Sequence, residues 1–562
     1  MIEHIPPAII LILGALLVPL LRGPVKAGYM LLLPVLSLWH LWSIPPGEYW
    51  QLTLFDYSLT MLRIDRLSMV FGTIFHIAAF INVIYALHVK DDTQHVAGLI
   101  YVGSAIGAVF AGDLISLFVY WELTAISSVF LIWCRRTERA YAAGMRYLII
   151  QVGSGVLLLA GALLHWHETG SIAFNYLGLN GLGNTLIFLA FGIKCAFPLL
   201  HNWLEDAYPE ATVTGTVFLS AFTTKLAVYT LARGFPGTEI LIPIGALMTA
   251  FPIFFAVIEN DLRRVLAYSL NNQLGFMVVG VGIGTELSLN GTAAHAFSHI
   301  LYKALLFMSM GAVLHRTGKI NGSELGGLYK SMPFTMVCCV IGAASISAFP
   351  LFSGFISKSL VVTATANGHY TITWLVLLFA SAGVFHHSGI KIPFFAFFGH
   401  DSGIRCKEAP LNMCIAMGLA AAMCILIGVF PQPLYDILPY AVDYKPYTTP
   451  HVMTQLQLLI WSALAFTFLK RTGIYPPELR SVNLDTDWVY RRFLPGFVSA
   501  VLRVGAPIQD RFFSGSKALA VSLIGGVRSF HSSQGVFGRT WLTGSSVLLV
   551  AIFLAVYLLF YF

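Results

Sequence analysis

Charged side chains are scarce in this sequence: 33 basic and 26 acidic residues among 562 make 10%, against about 25% in soluble domains. A soluble chain of this length needs far more polar surface to cover its core, so that class is excluded. The formal net charge of +7 is scattered over loops and never gathered on one dense face, which excludes a nucleic-acid binder. Cysteine is sparse too. The seven lie in apolar segments, Cys338 and Cys339 being the one close pair, without CxxC or zinc spacing, and read as small core residues. Iron-sulfur, flavin and nucleotide motifs are missing, since Gly280, Gly282 and Gly284 form only a weak glycine run inside an apolar stretch. Neither a cofactor nor a metal is expected.

What the chain has is apolar length. Hydrophobic residues make 57%, aromatics 14%, and glycine adds 50 residues, which excludes disorder and indicates an all-α polytopic membrane protein. About 20 apolar residues cross the hydrocarbon layer. Roughly sixteen stretches qualify: 6–22, 27–44, 66–89, 94–112, 114–134, 140–166, 183–203, 211–233, 238–258, 260–284, 288–315, 332–366, 371–399, 410–430, 451–469 and 541–562. The first lacks a basic n-region and a small-residue cleavage site, so it reads as a span and not as a signal peptide. Lysine and arginine concentrate in loops after odd-numbered spans, including Arg135, Arg136, Arg139, Arg263, Arg264, Arg316 and Lys319. Loops after even-numbered spans hold Arg63, Arg66, Arg233 and Lys445. Positive charge stays inside, so both termini are expected on the non-cytoplasmic side. Between 471 and 540 basic residues interleave with Trp488, Phe493, Phe497, Phe512 and Phe513. That pattern suits an amphipathic helix along the membrane or along a neighbouring protein chain; the alternative is a cytoplasmic loop with a short helix.

A repeat is visible. Ala196-Phe197-Pro198-Leu199 recurs as Ala348-Phe349-Pro350-Leu351, five spans later, each copy placing a proline inside an apolar stretch near an intramembrane lysine. An odd number of spans per copy inverts the second relative to the first, and inverted repeats with broken helices build many secondary transporters.

Six ionisable residues fall within predicted spans: Glu122, Lys194, Lys225, Lys303, Lys358 and Lys391. Each costs roughly 3 kcal/mol at a helix centre, so they must be paired or hydrated. Every intramembrane cation is lysine. Arginine stays protonated, whereas a desolvated lysine loses its proton readily and regains it beside a carboxylate. His295, His299 and Lys303 follow at steps of four, which puts all three on one helix face, and histidine can both accept and donate a proton. A zinc site is the rival reading, but it lacks the glutamate of HExxH and a third ligand; plain packing of the histidines is the other. His201, Glu205, Asp206 and Glu210 read as a charged mouth or an ordinary loop, and His386 and His387 as one residue facing water and one facing packing.

These residues lie in strings with a specific likeness. Tyr120-Trp121-Glu122-Leu123, Gly192-Ile193-Lys194, Pro198 to Ala207, Asp261 to Ser269, and His295 to Lys303 followed by Ala304-Leu305-Leu306-Phe307 resemble the antiporter-like subunits of respiratory complex I. That family includes the A-type and D-type subunits of Mrp sodium/proton antiporters and relatives in membrane-bound hydrogenases. The resemblance covers about residues 60–400 and is strongest to the Mrp D-type subunits. It implies 14–16 transmembrane helices with two inverted five-helix repeats, each with a broken helix. The divisions expected are N-terminal helices 1–93, repeats 94–235 and 236–400, C-terminal helices 401–470, the lateral segment 471–540 and a final helix 541–562.

By resemblance, Glu122 pairs with Lys194 of the broken seventh helix, Lys225 is the eighth-helix lysine, Lys303 the central lysine and Lys358 the residue of the broken twelfth helix. Some members carry glutamate at that last position, and Tyr208 replaces the histidine that the family places after Asp206-Ala207. The long helix at 487–530 is typical of the large complex I member. The function implied is a proton-translocating subunit of a multisubunit monovalent cation (Na+)/proton antiporter in a bacterial inner membrane. Its partners are the other subunits of that complex, protons, Na+ and the bilayer. The alternative is a proton-pumping module of a complex I-like or hydrogenase-type complex, a translocase with its redox centre in partner subunits. A scaffold that has lost transport is disfavoured by the complete lysine set. Sodium ligands have no fixed spacing, so Asn271, Asn272 and Thr224 stay equal as candidates.

Overall fold

The computed structural model describes residues 4–476, 479, 483 and 485–562, the side chains of Val504 and Ile508 aside. They form two compact units, Met1–Asn483 and Leu484–Phe562. The first opens with helices α1 (Pro7–Leu17) and α2 (Gly23–Ser43), strands β1 (Gly47–Leu54) and β2 (Tyr57–Ile64), and α3 (Arg66–Ala86). The strands pair as an antiparallel hairpin from Gly47↔Ile64 to Leu54↔Tyr57, a departure from a purely helical chain. The second strand buries Leu59, Leu62 and Ile64 over only eight residues, too short a stretch for a search for long apolar runs to register. Asp65 then starts α3 through a reciprocal cap with Ser68, which satisfies two otherwise orphaned backbone donors.

Two matching successions follow. The first is α4 (Asp92–Phe110), α5 (Leu114–Trp133), α6 (Glu138–Thr169), the broken pair α7 (Gly181–Lys194) and α8 (Asn202–Ala207), then α9 (Val213–Ala221) and α10 (Thr223–Gly234). The second is α11 (Leu241–Ile258), α12 (Leu262–Ile283), α13 (Glu286–Thr317), the broken pair α14 (Pro333–Ile346) and α15 (Ser353–Asn367), then α16 (Thr371–Val384), which continues as π-helical turns to Phe398. Helices α6 and α13 are both 32 residues long, and α7 and α14 both 14. Asp113 caps α5 and Asp261 caps α12, and each bridges the loop after its long helix, Asp113 to Ala173 and Asp261 to Asn321.

The breaks are the same device twice. Ala196 and Ala348 sit at φ of 62° and 56°, and Leu199 and Leu351 at 69° and 74°. Phe197 N donates to Gly192 O at 3.0 Å and Ala196 N to Ile193 O at 3.1 Å; Phe349 N donates to Ala344 O at 3.0 Å and Ala348 N to Ser345 O at 3.1 Å. This is a Schellman ending, which normally uses glycine at the left-handed position. An alanine there costs roughly 1–2 kcal/mol, so both breaks are held against local preference by their surroundings.

The repeats are joined at one end. Arg263, only 1% exposed and so a buried cation that is not a lysine, against the expectation, opens α12 and donates to the carbonyls of Tyr208, Ala211 and Thr212 at 3.3, 3.0 and 3.2 Å, between α8 and α9. Helix α13 runs through the middle, 94% of its apolar window buried. Outside lie α17 (Leu411–Val429), α18 (Gln432–Asp436) and α19 (Thr449–Thr472), the last only 11% buried. Every one of the sixteen apolar stretches contains helix, and twelve described helices are long and apolar enough to cross a bilayer. Gly181–Lys194 and Pro333–Ile346 are shorter apolar helices because their spans are broken. Arg263, Arg264, Asn271, Asn272 and Gln273 make α12 too polar to count among the twelve.

The second unit holds α20 (Leu494–Phe530) and α21 (Thr543–Tyr561). Helix α20 is one helix of 37 residues, not a loop with a short helical turn, with Pro507 inside it. Of the expected 471–540 segment, residues 477, 478, 480–482 and 484 lie outside the described residues.

Candidate functional site

All of the singled-out lysines are inside. Lys194, Lys225, Lys303 and Lys391 are 0% exposed and Lys358 is 3%, so no ammonium reaches lipid.

In the first repeat, Lys194 ends α7 and reaches across to α5. Its Nζ donates to Trp121 O at 2.6 Å and Thr124 Oγ1 at 2.8 Å, and lies over the Trp121 ring, 4.3 Å from the centroid. Lys194 and Glu122 lie within electrostatic reach of one another, but no ion pair joins them within 4.0 Å among the described residues. The reason is helical geometry. Residues 121 and 122 project about 100° apart, and Lys194 engages the Trp121 side while Glu122 turns to α6. There Glu122 Oε1 is buried with no hydrogen-bond partner among the described residues and takes the space that a Cβ on Gly155 would fill. Trp121 Nε1 donates to Ser154 Oγ at 3.0 Å, and Ser154 Oγ to Ala190 O at 2.8 Å, which ties α5, α6 and α7 at this level.

Lys225, in the first turn of α10, donates to Ser220 O at 2.6 Å and Thr224 Oγ1 at 3.3 Å. The interruption between α9 and α10 supplies that carbonyl. The α13 face carries the next groups. The His295 and His299 rings stack 6.2 Å apart at 25°, and His295 Nδ1 meets Ser357 Oγ at 3.1 Å, one residue from Lys358. Neither His299 nitrogen nor Lys303 Nζ has a hydrogen-bond partner among the described residues. Such buried polar atoms normally take water. Lys225 and Lys303 lie within electrostatic reach of one another, and His299 feels both.

Lys358 donates to Ile346 O at 3.2 Å, the last residue of α14, and so caps the carbonyl end of the half-helix as a cation should. It also lines a cavity of about 420 Å³ with Tyr444, Lys445, Thr448 and His451. Lys391 does the same with more contacts: it donates to Val257 O and Glu259 O, both at 2.6 Å, and so closes the carbonyl end of α11.

Of the four mouth residues, Asp206 and Glu210 are ion-paired. Asp206 takes Arg146 Nε at 2.7 Å and Nη2 at 3.0 Å, and Glu210 takes Arg139 at 2.5 Å and Arg135 at 3.4 Å. Tyr208 donates to Leu219 O at 2.8 Å, which makes it a strut between α8 and α9. His386 stacks on Tyr475 at 5.5 Å, and His387 is buried beside Ser388 Oγ at 2.9 Å. Among the sodium candidates, Asn272 is occupied with Gln273 at 2.6 Å and Thr224 with Lys225, whereas the Asn271 amide has no partner among the described residues.

Sequence reasoning missed several groups. Gln151 on α6 occupies the position of His299 on α13 when the two 32-residue helices are laid start on start, and its whole amide is buried without a partner among the described residues; the offset of the Ala-Phe-Pro-Leu copies leads to Lys303 instead and does not find it. Tyr302 OH donates to Gln273 Oε1 at 3.1 Å and faces His295 Nε2 at 3.5 Å, joining α12 to the histidine stripe. Outside the spans, burial pushes the Asp65 carboxyl up, but Arg233 at 2.7 Å and the Ser68 backbone N–H together hold it below the usual aspartate range.

Comparison with known proteins agrees with this arrangement. Residues 111–386 match the family described as NADH:quinone oxidoreductase/Mrp antiporter, TM. The chain is 30% identical to the D-type component of the Na(+)/H(+) antiporter of Alkalihalophilus pseudofirmus over 59% of this chain and 71% of that protein. It is 28% identical to Hydrogenase-4 component B of Escherichia coli over 68% of this chain and 63% of that protein. To the A-type component of the same Na(+)/H(+) antiporter of Alkalihalophilus pseudofirmus it is also 28% identical, over 68% and 54%. It therefore spans somewhat over half the length of the last two. Two solved structures share the fold. One is a chain of the Mrp complex from Dietzia sp. DQ12-45-1b, with a TM-score of 0.78, 22% identity and coverage of 93% of this chain and 62% of that one. The other is a chain of an archaeal membrane-bound sulfane sulfur reductase, with a TM-score of 0.71, 21% identity and coverage of 98% and 99%. With the repeated broken helices, the buried lysine file and the match over residues 111–386, this multi-pass membrane protein belongs to the family of antiporter-like subunits shared by NADH:quinone oxidoreductases and Mrp antiporters.

Proposed function

We propose that this chain moves protons across the membrane as one subunit of a multisubunit monovalent cation/proton antiporter, with sodium as the cation. The observation that carries the reading is the file of wholly buried lysines crossing both repeats, with unpartnered polar atoms on Glu122, His299 and Lys303 between protein-bonded neighbours. Glu122 sets the charge beside Lys194; Lys194 exchanges its proton through water with Lys225 and Lys303; His295 and His299 bridge to Lys358; Lys358 releases to the cavity beneath Lys445 and His451. Protonating one amine raises the cost of charge on the next, which couples the steps. The relatives named as Na(+)/H(+) antiporter components support the choice of cation. The membrane of this proposal is a bacterial inner membrane, and the loop arginines support placing both termini outside the cytoplasm.

Glu122→Gln and Lys194→Ala should each abolish cation/proton exchange in everted vesicles while the complex still assembles. Normal exchange in either removes the relay. A second reading makes the chain the pump module of a redox-driven complex. It is favoured by the similarity to a hydrogenase component and by the full-length match to a reductase chain. Purification of the intact complex separates the two: small hydrophobic partners support the antiporter, iron-sulfur partners the redox pump.

A further inference from the structure

Two depressions meet beside the N-terminal helices. The first, about 480 Å³, lies among the start of α2, the end of α3 and the start of α4, and is lined by Arg22, Lys26, Lys90, Asp92 and His95. The second, about 530 Å³, runs along the α4 and α5 faces and is lined by Val96, Ile100, Leu123, Ile126 and Phe130. Pro19 and Asp92 line both, so the two adjoin.

Their chemistry differs. In the first, Lys26 pairs with Asp92, while Arg22 and Lys90 have no acidic partner among the described residues, so three cations face one carboxylate. Helix α2 begins there without a side-chain cap, which adds its free N–H groups and positive dipole end. The second is almost wholly apolar. Arg136 meets Asp91 at 3.1 Å, which sets the basic depression level with the arginine-rich loop before α6, at the depth of lipid headgroups. The apolar groove leads from it towards the hydrocarbon layer.

We infer that the two depressions are one site for an anionic phospholipid. The phosphodiester is held by Arg22, Lys26 and Lys90, and an acyl chain lies along Ile100, Ile126 and Phe130. Basic pockets between transmembrane helices take acidic headgroups for this reason. A free phosphate has no use for the groove, a zwitterionic lipid leaves the net charge unanswered, and an apolar helix of a partner protein leaves Arg22 and Lys90 uncompensated. The assignment is independent of the proton relay.

The test uses the full chain, purified and stripped of lipid, then titrated with phosphatidylglycerol or phosphatidylcholine and followed by native mass spectrometry. Wild type should prefer phosphatidylglycerol. Arg22→Gln with Lys90→Gln, both at exposed positions, should weaken it about 30-fold. Ile126→Trp, which fills the exposed part of the groove, should weaken it as well, and millimolar inorganic phosphate should not displace it. Thermal unfolding confirms that the variants are folded. The inference is overturned by equal binding of both lipids, by unchanged binding in the charge variant, or by phosphate competing while Ile126→Trp has no effect. Crosslinking of Ile126→Cys to a partner protein instead of to photoreactive phosphatidylglycerol in the assembled complex overturns it too.

Discussion

Gly155 on α6 offers the sharpest handle on the first half of the relay. A methyl group on Gly155 would fall where Glu122 Oε1 lies, with Glu122 Cδ only 2.5 Å and Cγ 3.1 Å away. Gly155→Ala must therefore swing the Glu122 side chain from Cγ outward. Leaving its rotamer costs about 0.5–1.5 kcal/mol, and overpacking a close helix pair about 1–3 kcal/mol. Both together stay below the 5–15 kcal/mol that holds a domain folded, so the protein should still assemble. Function should suffer more, because misplacing a positioned group by 1 Å costs on the order of 10²-fold in rate. We expect exchange in everted vesicles to fall at least tenfold in Gly155→Ala at normal protein abundance, and to return in part in Gly155→Ala/Glu122→Asp, whose shorter side chain withdraws the carboxylate by one methylene. Full exchange in Gly155→Ala refutes the reasoning. A loss that Glu122→Asp leaves untouched assigns the effect to helix packing instead.

Further outcomes follow from the same geometry. Ala196→Gly and Ala348→Gly relieve left-handed strain of roughly 1–2 kcal/mol and return about half of it as chain entropy, so each should raise detergent stability by up to about 1 kcal/mol; a fall in melting temperature contradicts the Schellman assignment. Lys391→Met strips the carbonyls of Val257 and Glu259 of their donor and should destabilise by about 2–4 kcal/mol, whereas Lys391→Arg should keep exchange; Lys303→Arg should lose it, because arginine cannot shed a proton. Lost exchange in Lys391→Arg moves Lys391 into the relay. Asp65 has a lowered pKa, so its contribution is present above the ordinary aspartate range and disappears as pH falls through the lowered value. Asp65→Asn should be less stable than wild type at neutral pH, by no more than about 1 kcal/mol for a carboxylate 37% exposed, and the gap should close as pH falls below the lowered value. A gap that persists in acid removes the Arg233 pairing as its source.

Much of this could be read from the chain because membrane helices announce themselves locally. Apolar length located each span, and Ala-Phe-Pro-Leu located both breaks, since a proline and an alanine forced left-handed leave the same trace in sequence and backbone. The lysines stood out because nothing else in a span is as costly. What escaped depends on direction. The family resemblance pairs Glu122 with Lys194, but only the 100° step between residues 121 and 122 decides that the amine meets Trp121 while the carboxylate meets Gly155. That the end of α11 supplies carbonyls to Lys391 is likewise a matter of where the side chain points. Gln151 carries no signal in the sequence because an amide in a span is common, and its correspondence to His299 appears only when α6 is laid on α13. The hairpin at 47–64 was short and flanked by longer signals.

The guanidinium of Arg263 carries a mechanical consequence. By gripping three carbonyls of the opposite half it bolts the two pseudo-symmetric bundles together at their seam, where a rocking carrier would need a hinge. A protein fastened in that way has little freedom to alternate its faces, which favours the proposed relay, handed along by turning side chains within a frame that stays still, over a rocking carrier.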